Sequence, residues 1–161
     1  MRAHRRLIGV IGSALGTHEQ LELARAVGRL IAERDAILVC GGMTGVMEAA
    51  AQGAHEAGGL TLGILPGANA AESPPNPFIE IPLFTGLREA RNYLIASVCE
   101  GLIAIGGGYG TLSEIALALR IGKPLVLLRS WQLQIEGETP AIPTAETAQE
   151  AVERLWTMLT P

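Results

Sequence analysis

Two residues in this sequence have the types and the spacing to do chemistry together. Arg91 sits in "TGLREARNYLIASV", and Glu114 closes the stretch "GGGYGTLSE" at 106 to 114. Leu87, Leu94, Ile95 and Val98 recur at helical spacing, and Arg91 lies on that stripe, four residues after Leu87 and three before Leu94. An arginine on the inward face of a helix must meet a carboxylate or an anion, because burying an unpaired charge costs several kcal/mol. A structural ion pair, a subunit-interface arginine and a ligand contact all satisfy that demand. Arg88, three residues earlier, is either a second anion contact or a solvated first-turn residue. Glu114 has a local explanation of its own: Thr111-x-x-Glu114 has the form of a capping box, worth about 1 kcal/mol to a helix start. On local sequence alone the cap is sufficient.

The elements that must position these residues follow from hydrophobic patterning. Short, continuously apolar runs occur at 6 to 12, 36 to 40, 60 to 66, 78 to 84, 101 to 107 and 124 to 130. Strands look like this when helices cover both faces of a parallel sheet. Helical segments fall between them, at about 17 to 33 (opened by the capping pattern Thr17-x-x-Gln20), 44 to 57, 86 to 99, 111 to 121 and 144 to 159. The alternation predicts an α/β fold, a single Rossmann-like doubly wound domain over residues 1 to 161 with a mainly parallel sheet. Two connections, 66 to 77 and 131 to 144, have no period and read as lids, interface segments or plain connectors.

Small residues gather where such strands end. Gly12 and Ser13 follow the first strand, Gly41, Gly42 and Thr44 the second, Pro66-Gly67 the third, and Gly107, Gly108, Gly110 and Thr111 the fifth. Ligands of open parallel sheets bind beyond the carboxyl ends of the strands, where helix N-termini carry partial positive charge and glycine lets a phosphate approach the backbone. A phosphorylated small molecule is the expected guest. No GxGxxG, GxxxxGK[ST] or GxSxG is present, so an ordinary dinucleotide, P-loop or α/β-hydrolase site is disfavoured. Lys123, the only lysine, precedes a strand at the wrong end of the sheet for Schiff-base chemistry.

Composition narrows the partners further. The chain of 161 residues is 48% hydrophobic and 17% charged, with 20 glycines and a formal charge of −4, which suits one buried α/β core and removes the basic footprint of nucleic-acid binding. The start "MRAHRRLIGVIGSALG" imitates a secretory signal but has no small-residue cleavage site, and its glycines read as a first strand and turn. No apolar stretch reaches the about 18 residues of a membrane span, so a cytoplasmic protein is expected. Cys40 and Cys99 read as core residues, and three scattered histidines with a single aspartate, Asp35, leave little for a metal site.

Arg91 followed fifteen residues later by "GGGYGTLSE", with "GGMTGVMEAAAQGAHEAGG" and "GILPG" upstream, resembles the LONELY GUY (LOG) family over about residues 7 to 130. The resemblance implies a Rossmann-like homodimer or homotetramer that hydrolyses the N-glycosidic bond of nucleoside 5′-monophosphates, with no cofactor required. It assigns the 5′-phosphate to Gly107, Gly108, Gly110 and Thr111, and catalysis to Arg91 and Glu114. In that chemistry Glu114 faces the positive charge developing on the sugar, and Arg91 keeps Glu114 ionised. Two positions depart from the family pattern PGGxGTxxE and its preceding Arg-Lys pair: Gly106 stands for the proline and Asn92 for the lysine. A short branch of the superfamily, which this chain resembles in length, in "LPG" and in "GGGxGTLSE", contains molybdenum cofactor carriers. That branch implies a pterin phosphate bound without turnover. The register of Arg91 and Glu114 favours the hydrolase of the two.

Overall fold

The computed structural model describes residues 4 to 160, so Met1, Arg2 and Ala3 of the basic start, and Pro161, lie outside the description. Seven strands form one sheet in the order β4-β3-β2-β1-β5-β6-β7, and every neighbouring pair is parallel. They are β1 (Leu7–Gly12), β2 (Ile37–Cys40), β3 (Thr61–Leu65), β4 (Ile81–Phe84), β5 (Gly101–Ile105), β6 (Leu125–Leu128) and β7 (Thr144–Ala145). The five helices are α1 (His18–Ala32), α2 (Val46–Glu56), α3 (Arg91–Val98), α4 (Tyr109–Arg120) and α5 (Ala148–Leu159), with a 3₁₀ turn at Arg88–Ala90 leading into α3. The expected Rossmann-like architecture is present. Two-residue β7 falls where the irregular stretch is expected to end and the last helix to begin, is too short to show a period, and delays that helix to Ala148.

The central strands are buried on both faces. All five residues of β5 and all four of β6 are buried, which is why these runs are continuously apolar. One core lies between the sheet and α1, α2 and α5, the other between the sheet and α3 and α4. Within the first, Gly28 of α1 lies against the Ala50 carbonyl of α2, and Gly53 of α2 against the Arg25 carbonyl of α1, so the two helices cross at backbone contact. No side chain fits at either glycine.

With all strands parallel, the order of connection switches between β1 and β5: β2, β3 and β4 extend one way from β1, and β5, β6 and β7 the other. This switch point is where loops leaving adjacent strands diverge and open a crevice. α1 is capped as its sequence predicts: Gln20 N donates to Thr17 Oγ1 at 3.2 Å and Thr17 N donates to Gln20 Oε1 at 3.1 Å. Among the described residues no helix is long and apolar enough to cross a membrane.

Two local expectations are corrected. The stripe Leu87, Leu94, Ile95, Val98 is not the buried face of one helix, because the 3₁₀ turn interrupts it; Leu87 and Val98 are exposed, and only Ile95 is fully buried. The run 78 to 84 is a strand only from Ile81. Phe78 and Glu80 are instead held by the Thr61 hydroxyl, which donates to Phe78 O at 2.6 Å and accepts from Glu80 N at 2.9 Å.

Candidate functional site

A cavity of about 470 Å³ opens at the carboxyl end of the sheet, over the switch point. Eight of the residues singled out by sequence line it: Gly12, Ser13, Arg88, Arg91, Gly108, Gly110, Thr111 and Glu114. They come from the β1 and β5 ends, the turn before α3, the start of α3 and the first two turns of α4. Gly41, Gly42, Thr44 and Gly107 do not line it, although the sequence placed them with the ligand. Their positions show supporting roles. The Thr44 hydroxyl donates to Ala14 O at 3.1 Å and Val46 N donates to Ser13 O at 3.0 Å, tying the second glycine loop to the first. Gly41 lies under Arg91, where a Cβ would stand 2.9 and 3.0 Å from the two terminal guanidinium nitrogens. Gly42 packs on Leu65 and Gly63, and Gly107 against Thr111 and the Trp131 indole.

Arg91 is inward, as its sequence setting required, with 9% of its surface exposed. Among the described residues it makes no salt bridge. Its only side-chain hydrogen bond runs from Nη1 to Asn92 Oδ1 at 3.1 Å, and its buried Nε has no partner. Burial holds the guanidinium below its ordinary pKa against the pull of Glu114. Leaving an N–H of an arginine this deep unsatisfied is costly. The interior ion pair that sequence left open is absent.

Glu114 is also buried, at 6% exposure, and accepts no hydrogen bond among the described residues. Burial pushes its carboxyl up to about 7, with Arg91 opposing. The expectation that Arg91 keeps Glu114 ionised is therefore corrected: desolvation outweighs an attraction that is not backed by direct contact. The capping box is corrected too. α4 begins at Tyr109 with Gly108 as its N-cap, so Thr111 is the third residue of the helix and Glu114 the sixth, and no side chain caps it. Leu112 N is the first to bond back, to Gly108 O at 3.0 Å. The N–H groups of Tyr109, Gly110 and Thr111 are left without helical acceptors at the cavity wall.

A Cβ at Gly108 or Gly110 would meet nothing within 4 Å. These glycines are not required by packing; the space they leave is the cavity itself, where an oxyanion can reach the helix N-terminus. Gly106 is different. It holds φ +57°, with the Gln20 amide against its α-carbon. Ser130 Oγ donates to its carbonyl at 2.5 Å, and the Trp131 indole donates to Gly108 O at 3.2 Å while stacking on Tyr109.

Sequence reasoning missed these clamps, and also Asn76, whose buried amide donates to Met43 O at 2.8 Å and fastens the 66 to 77 loop to the second glycine loop. It also missed Met43, Met47 and Glu89 on the cavity wall; Pro66, expected at the end of the third strand, lines the cavity, as does Asn92. A polar residue flanked by prolines in an apolar chain, as in Pro75-Asn76-Pro77, is the one available signal. Among the described residues no three His, Cys, Asp or Glu side chains come together to hold a metal. Burial pushes the Cys40 thiol up to about 11 and the Cys99 thiol higher still, so both stay protonated at neutral pH.

Fold and site together define a Rossmann-like protein with a glycine-lined cavity and a buried arginine at the switch point of a parallel sheet. The family profile described as the SLOG cluster4 family matches residues 5 to 156, and the chain belongs to that LOG-like family. A solved structure similar to it is the molybdenum cofactor binding protein of Rippkaea orientalis, with TM-score 0.88 and 35% identity, covering 99% of this chain and 100% of that one. Another is the molybdenum cofactor carrier protein of Chlamydomonas reinhardtii, with TM-score 0.83 and 34% identity over 98% and 100%. The cytokinin riboside 5′-monophosphate phosphoribohydrolase of Mycobacterium tuberculosis is 32% identical over 132 residues, 77% of this chain and 71% of that protein.

Proposed function

We propose that this chain binds molybdenum cofactor through its pterin phosphate and carries it without turnover. The observation that carries an anionic ligand is Arg91, buried, free of carboxylate partners and with an unsatisfied N–H, on the wall of a glycine-lined cavity. The phosphate sits at the start of α4, over Gly108 and Gly110 and the free N–H groups of the first turn, and Arg91 supplies the counter-charge. Likeness to carriers over nearly the full length of both chains favours this cargo. A homodimer or homotetramer is part of the reading.

The second reading, hydrolysis of nucleoside 5′-monophosphates to base and ribose 5-phosphate, rests on Glu114. A carboxyl held near pH 7 in the same cavity as Arg91 is poised to take a proton from water. The two readings separate in one experiment. Purified protein is given molybdenum cofactor in air, and separately AMP and N6-substituted AMP. Carriage predicts slowed oxidation of the cofactor, loss of that protection in Arg91→Ala, and no free base. Cofactor that decays at its free rate under saturating protein overturns carriage, and base released in a Glu114-dependent way establishes hydrolysis instead.

A further inference from the structure

Asn92 follows Arg91 directly, on the cavity wall, and is itself buried. Both ends of its amide are engaged inside the protein. Oδ1 accepts from Arg91 Nη1 at 3.1 Å, Nδ2 donates to Ser113 Oγ at 3.0 Å, and the Ser113 hydroxyl donates to Gly110 O at 2.6 Å. The directions of these bonds are forced. A serine hydroxyl has one proton, and here it goes to the Gly110 carbonyl, so Ser113 can only accept from Asn92. The amide nitrogen must therefore face Ser113, and the amide oxygen must face the guanidinium. A reversed amide would set NH₂ against an arginine N–H and a carbonyl against an oxygen with no proton to give.

We infer that Asn92 is the positioning residue of this anion site: it locks the Arg91 guanidinium to the first turn of α4, making the cation and the helix N-terminus one rigid receptor for a phosphate monoester. With Nη1 taken and Nε buried away from solvent, Nη2 is the guanidinium nitrogen that remains, without a partner among the described residues, to meet a phosphate oxygen. Gly41 provides the space beneath, and the relay sets the guanidinium plane. The ligand then meets donors that are already in place, which removes an ordering cost from binding. Ser113 contributes only through Asn92 and touches no ligand.

This inference rests on the anion-binding reading above, and a double-mutant cycle separates the two. The probe is a phosphate monoester, ribose 5-phosphate, with binding followed by calorimetry well below the unfolding temperature for wild type, Asn92→Ala, Ser113→Ala and the double variant. The expected result is about tenfold weaker binding for Asn92→Ala and about threefold for Ser113→Ala, with the double variant no weaker than Asn92→Ala alone, because the serine acts through the asparagine. Ser113 is exposed and its loss leaves the fold intact, so the cycle retains an arm even where Asn92→Ala folds poorly. The Arg91 Nε–H proton resonance, assigned by its loss in Arg91→Lys, is a second readout; it is expected to be single and sharp in wild type and broadened in Asn92→Ala and in Ser113→Ala. Binding within twofold of wild type in both single variants, or additive losses, overturns the positioning role while leaving the anion site standing. No phosphate-monoester binding by wild type overturns both.

Discussion

At the scale of single residues, the site is set by what burial does to two charges. Glu114 and Arg91 share a cavity, yet neither satisfies the other, so each carries a desolvation cost that a ligand or a proton relieves. For Glu114 the sign is definite. Its folded pKa is raised, so the stability it contributes is fully present below its ordinary value of 4.5 and is lost as pH rises through about 7. Glu114→Gln, which mimics the neutral acid, is expected to match wild type near pH 4 and to exceed it above pH 7 by up to roughly 3 kcal/mol. Thermal unfolding of both proteins across that range checks this. Curves that stay parallel at every pH would show that Glu114 is not desolvated. Sequence exposed the identity of both residues but not their relation. Arg91 and Glu114 lie in different helices, and whether they touch depends on side-chain positions that no local pattern encodes.

Elements decide which of these groups faces the cavity. The sequence pattern placed β1, β2, β3, β5 and β6 to within two residues at each end, because continuous apolar runs have no other home in a parallel sheet. Helix starts were harder to read. Thr111-x-x-Glu114 has the letters of a cap, but the cap falls three residues earlier at Gly108, so the same letters lie inside α4. Before α3, Arg88 adopts φ +52°, and the 3₁₀ turn that follows puts Leu87 out of step with Arg91. Arg91 is inward because it opens α3 at the sheet's carboxyl end, and the stripe that predicted its direction does not exist as one face. Gly110 tests the role assigned to the α4 start. Alanine there adds a methyl to open space and suits a helix better by up to about 1 kcal/mol. Gly110→Ala is expected to leave the melting temperature unchanged or higher while weakening ribose 5-phosphate binding at least tenfold. Unaltered affinity would place the anion elsewhere.

At the scale of the whole molecule, several large apolar side chains stand exposed. Leu83 on β4, Leu87, Tyr93 and Val98 at α3, and Leu119 on α4 are all exposed. Residues of this kind are candidates for the interface of the homodimer or homotetramer proposed above. Light scattering of the purified protein is expected to give a multiple of the chain mass, and Val98→Asp to shift it to the monomer; a wild-type monomer at micromolar concentration would remove assembly from the reading. Gly106 has a longer reach than its size suggests. LOG sequences of the hydrolytic pattern have proline at the matching position, and proline requires φ near −65°, whereas here the backbone stands at +57° with the Gln20 amide packed against it. Proline at 106 alone does not fit this loop, because φ would have to change sign and the Gln20 amide would have to move. The two loop types are separate solutions in sequence space, and grafting the hydrolytic motif onto this chain means redesigning a turn together with its α1 neighbour, not exchanging one side chain.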